Sequence, residues 1–299
     1  MQVTFYGVRG STPCACDDTR RYGGNTSCVV VTHPGMDPVV FDLGTGLRYF
    51  GNDLANGGLA PGESFRGTAL VSHLHWDHVQ GVPFFKPWLC AGSRLDVYGP
   101  PQEEGSLEDA VRSFIKPPYF PVTIDELPGE VTITEAAEVF MVGPAEVRSA
   151  PVPHIGPTLG FRVSVGGTSV AFVPDHQQPG AGSTEVDPAV LELCAGADLL
   201  IHDAQFTNDE FTTKSDWGHC TVEYAVEVAA QAGVRRLALF HHDPSHSDTD
   251  VDELLAGARE YAAGRVEEVI AASEGLTVAL TPAAQSPAAQ SPAAVAAAG

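Results

Sequence analysis

His73-Leu74-His75-Trp76-Asp77-His78 places four side chains able to bind metal within six positions, one residue after the apolar run Ala69-Leu70-Val71. In an extended chain, residues two apart point to the same side, so His73 and His75 can reach one ion. Asp77 and His78 fall where the chain turns and can reach a second ion beside the first. Imidazole and carboxylate donors together suit zinc, manganese or iron better than calcium.

Two cations need more ligands than one cluster supplies, and the ends of later strands are where further ligands are expected. His154 follows an extended segment in the turn Pro151-Val152-Pro153-His154, and Asp175 follows Ala171-Phe172-Val173-Pro174. A carboxylate can bridge two cations through its two oxygens, which histidine cannot. Leu237-Ala238-Leu239-Phe240 ends in His241-His242. Strand parity sends these two side chains in opposite directions, so one of them is the expected ligand and the choice stays open.

Period-two apolar runs predict strands near 2–8, 27–32, 38–42, 68–72, 94–98, 131–134, 138–142, 146–151, 159–165, 168–173, 198–202 and 236–240. Helical patterns lie near 45–56, 106–115, 187–194, 221–232 and 250–263. The clearest is 221–232, with Val222, Ala225, Val226 and Ala229 on one stripe and Gly233 as the stop. In the last helix, Asp250 reads as the cap, with Glu253 three residues on. Strands interspersed with a few helices predict an α/β (α+β) fold of sheets packed on each other and covered by helices. Residues 101–130, rich in proline and aromatics, read as an insertion over the site, a contact in a homodimer, or a surface excursion. Residues 1–282 read as one domain. The repeat of Pro-Ala-Ala-Gln-Ser over 283–299 reads as a disordered tail.

The 299 residues carry a net charge of −22, with sixteen basic residues. No basic cluster is visible, so folded nucleic acid is an unlikely partner and a small substrate is expected. No apolar run approaches bilayer-spanning length, so the chain is not expected to cross a bilayer and no membrane partner is expected. The six scattered cysteines fit a reducing, cytoplasmic setting, and the Cys14-Ala15-Cys16 pair reads as an ordinary loop.

The H-x-H-x-D-H motif, with the later His and Asp positions, resembles the metallo-β-lactamase superfamily over about residues 1–255. The resemblance implies a four-layer αββα sandwich with two divalent metal ions, zinc foremost and Mn2+ or Fe2+ as alternatives. It implies that His73, His75 and His154 bind one ion, that Asp77, His78 and the final histidine bind the other, and that Asp175 bridges. Phe240-His241-His242-Asp243-Pro244 matches the family's last motif with His241 as the ligand.

Gly7-Val8-Arg9-Gly10-Ser11-Thr12-Pro13 and Tyr22-Gly23-Gly24-Asn25-Thr26 resemble the opening of the tRNase Z and small-nucleotide phosphodiesterase branch. Gly218-His219-Cys220-Thr221 resembles that branch's His-Ser-Thr motif, with cysteine in place of serine. The likeness makes His219 the acid that protonates a leaving oxygen, while Asp77 accepts the nucleophile's proton. Arg9 and Arg48 are candidates for phosphate contact. The amides of Asp42-Leu43-Gly44-Thr45-Gly46 could face a phosphate, and Asp203 could orient a ligand histidine. The expected activity is a two-metal phosphodiesterase on a small or cyclic nucleotide-like ester. The alternatives are a tRNase Z-like endoribonuclease, a lactonase-like ester hydrolase, and a non-catalytic metal-binding sensor.

Overall fold

The computed structural model describes residues 1–60 and 62–282; the tail expected over 283–299 lies outside them. Two seven-stranded sheets face each other. The first contains β1 (Gln2–Gly7), β2 (Cys28–Thr32), β3 (Val39–Phe41), β4 (Arg66–Leu70), β5 (Arg94–Gly99) and β6 (Glu130–Glu135). The second contains β7 (Val139–Val142), β8 (Ala145–Pro151), β9 (Leu159–Val165), β10 (Thr168–Val173), β11 (Leu199–Asp203), β12 (Arg236–Phe240) and β13 (Glu268–Ala271). The chain then returns as β14 (Thr277–Ala279), antiparallel to β1, and completes the first sheet.

The apolar faces explain the layering. Between the sheets, Phe5, Phe41, Phe161, Phe172 and Phe240 are fully buried. Phe41 stacks on Phe172 across the gap at a ring separation of 4.7 Å, a pairing worth about 0.5–1.5 kcal/mol beyond the area it buries. The outer face of the first sheet is covered by α1 (Leu47–Asp53), α2 (Trp76–Val79) and α3 (Leu107–Phe114). The outer face of the second is covered by α4 (Pro188–Cys194), α6 (Val222–Gln231) and α7 (Asp248–Tyr261), with α5 (Asn208–Lys214) in the chain between α4 and α6. This is the four-layer αββα sandwich.

Parallel pairing runs through β3–β6 in one sheet and β10–β13 in the other. Carboxyl ends of parallel strands are where such sheets place ligands, and here both sets of ends open on one edge. Asp42 follows β3, His73 and His75 follow β4, Asp175 follows β10, and His241 follows β12.

Three local readings change. The cap of α7 is Ser247, whose hydroxyl accepts from the Asp250 N–H in a reciprocal box; Asp250 is the third helical residue rather than the cap. Asp77 and His78 sit on the single turn α2, too short to show a helical period. Residues 101–130 carry α3, and their aromatics reach the edge of the site: Phe114 packs on Trp76 at 5.7 Å and Phe120 on Phe84 at 6.5 Å. Among the described residues, no helix is long and apolar enough to cross a membrane.

Candidate metal centre

The seven residues singled out for metal converge. One ligand atom from each of His73, His75, His154 and Asp175 lies within 4.8 Å of the others, and Asp77, His78 and His241 form an adjoining group. His73 Nε2 is 2.8 Å from His75 Nδ1, and His154 Nε2 is 3.3 Å from that same atom. Asp175 lies between the groups, with Oδ2 3.6 Å from both His73 and His154 and Oδ1 3.2 Å from His78 and 3.4 Å from His241.

The rings of His154, His241 and His78 are aimed by the contact that the other nitrogen makes, the usual means of fixing a metal-binding tautomer. His154 Nδ1–H donates to the Gly218 carbonyl at 2.6 Å, and His241 Nδ1–H donates to Gln205 Oε1 at 2.8 Å. His78 Nδ1–H donates to Asp42 Oδ2 at 2.7 Å. Asp42 is fully buried and held by the Ser72 N–H at 2.7 Å and the Ser27 hydroxyl at 2.8 Å. Sequence reasoning missed the roles of Asp42 and Gln205; an acid at the end of β3 was the only signal for the first.

Backbone geometry supports this aim. His241 has a φ of +59° and Asp42 a φ of +55°, sparsely populated values that concentrate at functional sites. A Cβ on Gly10 would lie 2.4 Å from the His241 ring, and one on Gly218 2.5 Å from the His154 ring. Glycine at these two positions lets the loops close on the ligand rings.

The donor set fits divalent cations. His78 Nε2 and Asp175 Oδ1 are buried without a hydrogen-bond partner, an arrangement that is costly unless something else satisfies both atoms. Asp77 and Asp175 are buried, and only histidines lie within ion-pairing distance of them among the described residues. Burial pushes the His73, His75 and His154 imidazoles down, keeping them neutral with a lone pair free. Burial alone would lower His78 too, but Asp77, Asp175 and Asp42 raise it well above its ordinary value. The carboxylates thus call for positive charge at this point, which a divalent cation supplies.

His219 also comes within 4.8 Å of Asp175 and His241 as a third group able to hold an ion, and differs from the other candidates in one respect. Its Nδ1–H donates to Asp203 Oδ2 at 3.0 Å, against 3.8 Å to Asp175. That nitrogen is therefore occupied and is no ligand. Asp203 is itself pinned by the N–H groups of His176 and Gln205, both at 3.0 Å. Asp203 was expected to orient a metal-binding histidine; it orients His219 instead. Burial opposes protonation of His219, but the Asp203 and Asp175 carboxylates outweigh it and push the imidazole up to about 9. Cys220, in place of the motif's serine, is buried and donates its thiol to the Asp203 carbonyl at 3.1 Å.

Two further expectations are corrected. Arg9 is fully buried, donating from Nε to the Gly23 carbonyl at 2.8 Å and from one terminal nitrogen to Asp243 and His246 carbonyls at 3.0 and 2.7 Å. It ties two loops together and cannot reach a phosphate. The amides of Gly44, Thr45 and Gly46 donate to Ser27 and Thr26, so they hold the turn rather than a ligand. His242 is also settled as structural: its Nε2–H donates to the Ala272 carbonyl at 2.9 Å, and burial brings the ring down to about 3.

The profile of the beta-lactamase superfamily domain matches residues 39–242, and the chain belongs to the metallo-β-lactamase superfamily, in its tRNase Z-like branch. It is a metal-dependent hydrolase. The chain is 32% identical over 325 residues to the ribonuclease Z of Myxococcus xanthus, covering 94% of this chain and 98% of that protein. Among solved structures, the short form of human tRNase Z superposes with a TM-score of 0.65 at 21% identity, over 94% of this chain and 100% of that one. Zn2+-bound PqqB from Methylobacterium extorquens superposes with a TM-score of 0.69 at 18% identity, over 94% and 100%. At these identities the two structures speak for the fold alone.

The near full-length likeness to ribonuclease Z overturns the expected small or cyclic nucleotide-like substrate and the exclusion of nucleic acid. The physical reason lies in the inference from charge: −22 is a whole-chain sum, and a sum does not report the charge of one groove.

Proposed function

We propose that this protein is a ribonuclease Z-type endoribonuclease that cleaves a phosphodiester of precursor tRNA. The observation that carries the reading is the ribonuclease Z likeness spanning almost the whole of both chains. The geometry agrees, because an RNA ester has an alkoxide leaving group that departs slowly unless protonated, and a lactone or thioester has less need of such an acid.

His73, His75 and His154 hold one divalent cation in this reading, Asp77, His78 and His241 the other, and Asp175 lies between. Zinc is the proposed metal, on the imidazole-rich donor set. Bound there, divalent cations would supply Lewis acidity, making water a better nucleophile near neutral pH and offsetting the phosphate's negative charge. Asp77 Oδ2 is fixed by the Ser11 N–H at 2.8 Å and lies 3.1 Å from both His78 and His241. Its other oxygen has no hydrogen-bond donor among the described residues and is the acceptor for the nucleophile's proton. His219 Nε2, opposite the nitrogen bound by Asp203, donates the proton to the departing oxygen.

The test is to incubate the purified protein with precursor tRNA, with cyclic nucleotides and with lactones, metal content being measured on the same sample. Cleavage of the precursor to a discrete product is expected. An intact precursor beside a fully loaded metal centre would refute the proposal.

A further inference from the structure

Beside the metal centre the surface opens into a cleft of about 670 Å³, bounded in part by Pro13, Arg48, Tyr49, Gln80, Phe84 and Lys86. Its closeness to the chemistry follows from the chain. Gln80 lies three residues beyond Asp77 at the end of α2, about 4.5 Å along the helix axis. Pro13 is two residues beyond Ser11, whose N–H holds Asp77.

The walls combine two kinds of group. Tyr49 is 46% exposed and Phe84 61% exposed, and Phe84 is held edge-on by Phe120 behind it. Arg48 lies with its guanidinium 5.9 Å from the Tyr49 ring centre. Arg48 and Lys86 are both exposed and have no carboxylate partner among the described residues. Many of the other cations are paired, Arg21 with Asp252, Arg112 with Glu108 and Asp125, Arg235 with Asp198 and Arg265 with Glu227; Arg66 and Lys116 are exposed and likewise without a carboxylate partner among the described residues, but neither stands beside the rings of this cleft. Two free cations flanking two exposed rings, in so acidic a chain, are unexplained by packing.

We propose that this cleft is a subsite for an unpaired nucleotide of the RNA strand adjoining the scissile phosphodiester. Its base stacks against Phe84 and Tyr49, and its phosphate is neutralised by Arg48 and Lys86. Rings recognise bases that have left the helical stack, and every base offers a π-face, so the subsite reads single-stranded character rather than sequence. The inference rests on the endoribonuclease reading for its substrate and on the cleft's own chemistry for its place.

The test measures binding separately from cleavage. Anisotropy of a labelled single-stranded oligoribonucleotide is followed against salt for the metal-loaded protein and for Arg48→Gln/Lys86→Gln. The plot of log affinity against log salt should become less steep by about 0.7 in the double variant, the slope for one neutralised phosphate on a single strand. Phe84→Ala should raise KM for precursor tRNA roughly 5- to 150-fold, the range for one lost base stack, with kcat unchanged. Turnover of bis(p-nitrophenyl) phosphate, which reads the metal centre alone, should stay as in the parent protein. Unchanged salt dependence in the double variant, or failure of the parent protein to bind the oligonucleotide, would overturn the proposal. So would an equal loss on bis(p-nitrophenyl) phosphate, which would make these residues supports of the metal centre. Binding that depends on Arg48 and Lys86 without cleavage of precursor tRNA would uphold the subsite and refute the endoribonuclease reading.

Discussion

Asp203→Asn tests the acid assigned to His219. The aspartate receives the His219 Nδ1–H and the His176 N–H on one oxygen, both at 3.0 Å, and the Gln205 N–H on the other; asparagine keeps the first two on its carbonyl oxygen and gives up the third, so the charge is removed with the contact to His219 retained. With Asp203 the imidazole stands at about 9 and is protonated through the neutral range. Without that carboxylate the largest favourable charge contact is lost, leaving burial opposed only by the smaller contacts with Asp175 and Asp77, so its pKa falls toward the ordinary 6.5. The acid form is the active one, so activity holds below the pKa and is lost as pH rises through it. At pH 6 the variant should cleave precursor tRNA within a fewfold of the parent protein, and at pH 8.5 roughly a hundredfold more slowly, from the protonated fractions alone. The assay is single-turnover cleavage from pH 5.5 to 9 with metal content verified at each end. Bis(p-nitrophenyl) phosphate is the control, because nitrophenolate leaves without a proton and its turnover should barely change. An identical pH profile in parent and variant, or an equal loss on both substrates, would refute the role given to His219.

Three more predictions bear on the supporting structure. Asp42→Ala removes the buried carboxylate that aims His78, and metal affinity measured by chelator competition should fall about 10- to 100-fold. Gly218→Ala forces a Cβ to 2.5 Å from the His154 ring at a φ of +91°; the urea midpoint should drop by the equivalent of about 1–3 kcal/mol, with metal content reduced in parallel. Phe172→Ala empties the centre of the inter-sheet core, and chemical denaturation should show a loss of about 3–5 kcal/mol with the metal centre's residues untouched.

Much of this fold was legible because its signals are local. The segments that form β8 to β12 alternate or stay largely apolar over five to seven residues, and their predicted bounds agree with those observed to within one residue. β13 and β14, four and three residues long and partly exposed, carry too short a pattern to register. The same holds for α2, and α5 buries only Phe211. At the site, His73, His75, Asp77 and His78 announce themselves by spacing, and parity anticipated that His241 and His242 would face apart. Asp42 could not be assigned, because its contact with His78 exists only once β3 and β4 pair in parallel. Arg9 was misread for a related reason: a guanidinium in a glycine-rich loop looks free until the loops that bury it are folded around it. The substrate was misread because composition averages over the surface, while recognition depends on the few square nanometres beside Asp77.

The return of β14 to β1 has a consequence for biosynthesis. β1 leaves the ribosome long before β14, and one of its edges gains its neighbour only when Thr277–Ala279 has been made. Until then that edge offers unpaired amides and carbonyls to any passing strand. A chain stopped short of residue 277 would therefore already carry every group assigned to hydrolysis and still lack the clasp that keeps it from aggregating.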